Sequence, residues 1–358
     1  MATDADANQG AGEVRTALDV ARLDDWLVAN VSSYRGPLTI EQFKGGQSNP
    51  TYRLTTPARR YVLRRQPPGA LIKGAHDVLR EARIMAALAG MPVPVPEVVA
   101  TCDDPAVIGS QFFVMGLVEG RIFWDAAFTD VPAAERPRYF DAMNATIAAL
   151  HGVDSAAVGL ADFGRPGNYF ARQIGRWTRQ YQEDEAAGRN SDMDALIAWL
   201  PRAIPDGDET TIVHGDFRCD NLIFHPNRPE IVAVLDWELS TLGHPLADFA
   251  YHAMMYRMPP DIVAGLGGSE PAALGLPSEA EYIQAYCRHT GRTAIPNWDF
   301  YIAFNFFRLA AIFHGIKGRV LRGTAASAHA RERAAAFPRL AKLARQAMDG
   351  CQIELMIR

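Results

Sequence analysis

The stretch "TIVHGDFRCDNLIFHP" (211–226) sets His214, Asp216, Asp220 and Asn221 directly after the apolar Thr211-Ile212-Val213. A second apolar run, "IVAVL" (231–235), stops at Asp236. Phosphoryl transfer asks for groups of this kind: one to orient the attacking hydroxyl, and oxygen ligands for a Mg2+ ion that bridges nucleotide phosphates. Asp216 can accept the hydroxyl's hydrogen bond. Asn221, five residues on, can offer a metal oxygen from the same loop, and Asp236 a carboxylate from the next strand end. Aspartate and asparagine are also favoured turn formers, so Asp216 alone reads equally well as a turn residue. The three in this order, each at the end of a strand-like run, carry the chemical reading.

The elements that must hold these residues follow from periodicity. Residues 20–35 have the spacing of one amphipathic helix. From about 38 to 118, "TYRLTT", "RRYVLRR" and "SQFFVMGLV" bring β-branched and aromatic residues between turn signals, which predicts strands. Within that region 75–90 predicts a helix, ended by Gly90 and "MPVPVPE". Beyond 120 helical spacing predominates, over 133–151, 168–187, 191–200, 247–258, 279–290, 298–317 and 327–348. The expected class is α+β: a disordered tail over 1–18, a small β-rich lobe over 19–118 and a larger, mostly helical lobe over 119–358.

Within the predicted helix 75–90, Val78, Glu81, Met85 and Leu88 share one face. A carboxylate on an apolar stripe is costly unless paired, and Arg64 in "YVLRR" is the expected partner. Arg65 would then face solvent on the other side of the strand. "FKGGQSNPTYRL" places Gly45, Gly46, Gln47, Ser48 and Asn49 between two strand-like pieces, where glycines let backbone N–H groups approach phosphates. It matches neither the Walker A pattern nor G-x-G-x-x-G. "FFVMGLVEGR" (112–121) reads as the last strand of the lobe and its exit, with Met115 to Val118 against the nucleotide base.

Composition excludes other classes. A formal net charge of −5 argues against a general nucleic-acid binder. The four cysteines are far apart with no C-x-x-C pair, so neither a disulfide framework nor a zinc site is expected, and a reducing cytoplasm fits. The acidic N-terminus lacks the apolar core of a secretory signal. The most apolar segment, 300–316, carries Asn305, Arg308 and His314 and falls short of the ~20 residues of a membrane span. It reads as a buried helix, and no membrane partner is expected.

"HGDFRCDNLIF" and "AVLDWE" resemble the His-Gly-Asp…Asn and Asp-x-Glu signatures of the aminoglycoside phosphotransferase/choline kinase family, over roughly 35–320. The resemblance implies a protein-kinase-like two-lobed fold and a small-molecule kinase using ATP and Mg2+. It implies Asp216 as catalytic base, Asn221 and Asp236 as metal ligands, and the 45–49 loop over the phosphates. Arg64 stands where such folds usually carry a phosphate-contacting lysine. A guanidinium is broader and more weakly hydrated than an ammonium, yet it can pair phosphate oxygens bidentately. His214 is expected to be architectural, and Asp248 to begin a helix or brace the loop. Glu238 is read as a metal-positioning group, a backbone partner or an acceptor contact.

Charge bears on the acceptor. Residues 301–358 hold ten basic side chains against three acidic ones, and Arg172, Arg176 and Arg179 fall on one helical face. Solvated helix faces often look like this. As an acceptor surface, however, the bias favours an anion over an aminoglycoside or amino alcohol. "GQSNPTY", "YVLRRQPPG" and "GNYFARQIGRW" are further similar to the subgroup of this family found fused to acyl-CoA dehydrogenase domains. That resemblance implies a hydroxyacyl-CoA or hydroxy acid acceptor and a separate acyl-CoA dehydrogenase as functional partner. A non-catalytic nucleotide- or acyl-binding protein on the same scaffold is the reading from another class, favoured only by Arg64.

Overall fold

The computed structural model describes residues 11–15, 18–43, 49–67, 76–325 and 329–357, with side chains as far as Cys351. The chain divides into two compact units. Unit 1 comprises Met1–Trp124, Val158–Leu160 and Asp220–Ser240, and unit 2 the remainder.

Unit 1 is built on a six-stranded antiparallel sheet in the order β1-β2-β3-β4-β6-β5. The strands are β1 (Ala11–Gly12), β2 (Thr39–Phe43), β3 (Thr51–Thr55), β4 (Arg60–Arg65), β5 (Val98–Cys102) and β6 (Phe112–Gly116). Alternation along β4 decides what each sheet face does. Tyr61 and Leu63 point into a core shared with Phe112, Val114 and helix α1 (Val20–Asn30), which contributes Leu23 and Leu27 one turn apart. Val62 and Arg64 point to the opposite face, where helix α2 (Val78–Leu88) packs against β5 and β6. Asp77 caps α2 by accepting from Arg80 N at 3.0 Å.

Two expectations change here. Ala11 and Gly12, placed in the tail by their composition, pair with Phe43 and Gln42 as an edge strand. Two residues are too few to show a strand period. Arg65, expected toward solvent, is buried and donates from Nε to Ser110 Oγ at 2.9 Å. Because α1 covers the second face of the sheet, the strand has no solvent side.

The β-hairpin β8 (Leu222–Phe224) and β9 (Ile231–Val234) also belongs to unit 1, unlike a single cut after residue 118. It is tied there by reciprocal backbone bonds of 2.8 Å between Arg121 and Phe224 and by Val234 N donating to Pro94 O at 2.8 Å. Gly120 is required for this approach, since a Cβ there would lie 2.2 Å from the Phe224 carbonyl oxygen.

Unit 2 holds α3 (Arg136–His151), α4 (Tyr169–Glu183), α5 (Ser191–Trp199), α6 (Pro245–Ala253), α7 (Glu279–Thr290), α8 (Trp298–Leu321) and α9 (Ala330–Ile357). A short pair, β7 (Thr211–Val213) with β10 (Thr241–Gly243), leads into and out of its polar loop. Helix α8 is buried on nearly every side, against α4, α6 and α9. Its buried Asn305 donates to Ala247 O and to Tyr301 O, both at 2.9 Å, which fastens α6 to α8. No helix among the described residues is long and apolar enough to cross a membrane.

Candidate active site

Candidate site residues occur in both units. In unit 1 a cavity of about 290 Å³ has apolar walls from Val62, Met85, Met115, Ile223 and Leu235. Its polar end holds Arg64, Glu81, Asn221 and Asp236. The β8–β9 register brings the last two together: Leu222 faces Val234, and Leu235 N donates to Asn221 O at 2.8 Å. Asp236 then takes a left-handed conformation, φ 62° and ψ 61°, at the turn out of β9. A non-glycine residue held there is uncommon and is typical of sites where backbone direction matters.

Arg64 is the hub. Its Nε lies 2.9 Å from Glu81 Oε2, and its Nη2 lies 2.8 Å from Asp236 Oδ1 and 3.6 Å from Glu238 Oε2. Its side chain is only 12% exposed and that of Glu81 3%, so this is a buried ion pair rather than a surface one. Burial works against the Arg64 charge, but the three carboxylates outweigh it and push the guanidinium further up. Burial pushes Glu81 up to about 7 against the pull of Arg64, with Asp236 and Glu238 adding to the rise. Glu238 therefore stands with the arginine of unit 1, where Asn49 Nδ2 also donates to it at 3.3 Å. Met115 pairs with Val62 on the cavity face. Gly45, Gly46, Gln47 and Ser48 lie outside the described residues.

In unit 2 the loop after β7 is held from behind. Gly215 has φ +84°, a conformation suited to glycine. The fully buried His214 accepts from Asp216 N through Nδ1 at 3.2 Å, an architectural role. Asp248 receives His214 N and Gly215 N, both at 2.8 Å, and His151 Nε2 lies 3.2 Å away. Burial alone would raise the Asp248 carboxyl; His151, His214 and the Gly215 amide reverse that and hold it low. Asp248, Tyr251 and His252 sit at i, i+3 and i+4 of α6, so one helix face grips the loop. Tyr251 donates to Asp216 Oδ1 at 2.5 Å, and His252 Nδ1 contacts Phe217 O at 3.2 Å. This polar face on an otherwise apolar helix was readable in "PLADFAYHA" by spacing alone, yet sequence reasoning singled out only Asp248.

Arginines gather on the same unit. Arg218 Nε is 3.9 Å from Asp216 Oδ1, and Arg308 donates to Gly215 O at 3.2 Å. Arg172, Arg176 and Arg308 all act electrostatically on the buried Tyr169. Arg172 is half-buried and donates to Arg165 O; Arg176 and Arg179 are exposed on α4, with Arg176 over the Trp177 ring.

Two histidines beside the loop give a pH prediction. Burial pushes both His252 and His244 down to about 4, so each folds in its neutral form. The unfolded chain takes up these protons near pH 6.5 and the folded one only near 4. Their stabilising effect is full above 6.5 and is lost as pH falls through 4, up to about 3 kcal/mol apiece. Asp248, held low, acts only below its unfolded value near 3.9 and so outside this window. Glu81, pushed up to about 7, takes up a proton on folding over the same window and works the other way. The histidine contribution therefore shows as a difference: from pH 7 to 4.5 the thermal midpoint of His252→Gln should fall less, or rise more, than that of the wild type, and parallel profiles would refute the assignment.

The sheet, helices and loop order make up a protein-kinase-like fold. An aminoglycoside phosphotransferase, APH(4)-Ia, solved as a thermostable mutant in ternary complex with ADP and hygromycin B, shares it at TM-score 0.60. That match has 14% identity and covers 91% of this chain and 98% of that one. Residues 39–302 match the model of the phosphotransferase enzyme family, and the chain belongs to that family. A solved protein of Ralstonia eutropha JMP134, described provisionally as an aminoglycoside phosphotransferase, is 46% identical, with TM-score 0.86. It is covered over 93% of this chain and 99% of its own. Acyl-CoA dehydrogenase family member 10 of Mus musculus is 44% identical over 311 residues. That match takes in 86% of this chain but only 29% of the mouse protein's length.

Proposed function

We propose that this phosphotransferase moves the γ-phosphoryl group of ATP to the hydroxyl of a small anionic acceptor, a hydroxyacyl-CoA or a hydroxy acid. The observation that carries the reading is the backbone bond between Leu235 and Asn221. It sets an amide and the carboxylate of Asp236 beside one another and next to the Arg64 cation. Both offer oxygen, the donor a hard Mg2+ ion prefers, and an ATP site needs only one or two protein ligands besides phosphates and water. No cluster of three or more acidic, histidine or cysteine ligands occurs among the described residues, which suits such a shared ion. A bound Mg2+ would offset charge on the phosphates. Arg64, freed by its carboxylate partners or shared with them, would pair phosphate oxygens, and the apolar walls would take the base. Asp216 would accept the acceptor's hydroxyl proton as its oxygen bonds phosphorus and ADP departs, a step governed by positioning and charge stabilisation.

Arg218 and Arg308 beside the Asp216 loop support a negatively charged acceptor, as does a relative named for acyl-CoA chemistry. A phosphorylated hydroxyacyl thioester would be primed to lose inorganic phosphate together with a neighbouring proton, giving an enoyl thioester. A separate acyl-CoA dehydrogenase, built to bind acyl and enoyl thioesters, would be a fitting partner. The second reading, an aminoglycoside or amino-alcohol kinase, draws on the description of the Ralstonia protein. ADP release with Mg2+-ATP, measured over hydroxyacyl-CoAs, hydroxy acids, aminoglycosides, choline and homoserine, separates them. Turnover is expected on the hydroxyacyl-CoAs; preference for a kanamycin-type sugar would overturn the acceptor assignment.

A further inference from the structure

Tyr251 has no part in the chemistry so far. Its hydroxyl donates to Asp216 Oδ1 over 2.5 Å, a short bond of the kind made to a charged acceptor. The Arg308 guanidinium lies over its ring, 5.3 Å from the centroid, and reaches on to Gly215 O. Burial pushes the phenol well above its ordinary value; the charge of Asp216 adds to this, and Arg218 and Arg308 oppose it without reversing it. Across the pH range in which the protein works, Tyr251 is thus a donor that never ionises.

Such a donor does two things to a carboxylate. It fixes the plane of the group by occupying one oxygen, and it favours the ionised form, which lowers the pKa. Among the charged and titratable groups facing Asp216 are Arg218 from its own loop, Tyr251 from α6 and, through the Tyr251 ring, Arg308 from α8. His214 and Asp248 accept backbone N–H groups of the loop. The geometry points to Tyr251 as a positioning residue that clamps Asp216 Oδ1, aims the carboxylate at the acceptor hydroxyl and keeps it ionised. It rests on the reading of Asp216 as the base. Tyr251 would act through Asp216 rather than on the reacting atoms.

The test is Tyr251→Phe, which keeps the ring under Arg308 and removes only the hydroxyl. On the acceptor that the wild type turns over, kcat is expected to fall about 10-fold, well short of the roughly 10²–10⁴ that loss of the whole base would cost. The KM for ATP should stay within two-fold, and the acid limb of the kcat/KM profile should move up by about one pH unit. A loss of kcat with the limb in place would mean packing alone and overturn the inference. Carbonyl-13C titration of the Asp216 side chain, assigned by its absence in Asp216→Asn, needs no acceptor. A higher midpoint in Tyr251→Phe supports the clamp even if Asp216 is not the base, and an unchanged midpoint refutes it.

Discussion

Asp216→Asn is expected to lower turnover by a factor on the order of 10³ while leaving the affinity for ATP within about two-fold, because a positioned base contributes roughly 10²–10⁴. The exchange is nearly isosteric. The loop's hold on its neighbours runs through backbone N–H groups, from Asp216 to His214 and from His214 and Gly215 to Asp248. The amide oxygen can still accept from Tyr251, so local order should survive. Calorimetric ATP binding alongside ADP release checks both halves. A variant as active as the wild type would remove Asp216 from the chemistry. A protein with tight ATP binding and no turnover on any acceptor, before or after the exchange, would be a binding module.

Asp236→Asn should act on the other reactant. The β8–β9 hairpin places Asp236 near Asn221, and Asp236 shares Arg64 Nη2 with Glu238. Its loss should remove the part of ATP affinity that depends on Mg2+ and lower kcat/KM by about 100-fold or more. Arg64 keeps Glu81 at 2.9 Å, so the guanidinium is not stranded and the unfolding midpoint should change little. The decisive comparison is ATP affinity with Mg2+ and with EDTA. In the variant the two should coincide; if Mg2+ still strengthens binding as in the wild type, the ion is held elsewhere.

Much of this was legible in the sequence, for particular reasons. Strand and helix periods differ, so the passage from β2–β6 to the helices beyond 120 shows in the order of residues alone. Glu81 could be singled out because a carboxylate on the apolar stripe of α2 needs a partner, and Arg64 lies within reach. What stayed hidden depends on contacts between distant parts of the chain. β5 follows a proline-rich run and is only five residues long. Arg65 was misjudged because nothing local reveals that α1 covers the second face of β4. The return of Asp220–Ser240 to unit 1 rests on backbone pairing with Arg121 and Pro94, which carries no signature in residue type. Tyr251 and His252 were within reach of a spacing argument, but their partners on the loop were not.

Among the described residues, those lining the cavity of unit 1 all belong to that unit. The chain leaves unit 1 after Trp124, returns briefly over Val158–Leu160 and comes back for the β8–β9 hairpin at Asp220. On the proposed function, nucleotide handling and acceptor choice would therefore fall to different units of one chain. Under that proposal, mutation on α4, α6 and α8 could change the acceptor without disturbing the Arg64 hub, and drift in the unit 1 cavity need not alter which alcohol is taken. A scaffold partitioned in this way is suited to repeated changes of substrate over evolutionary time, and to chimeras in which one nucleotide-handling half serves several acceptor-handling halves.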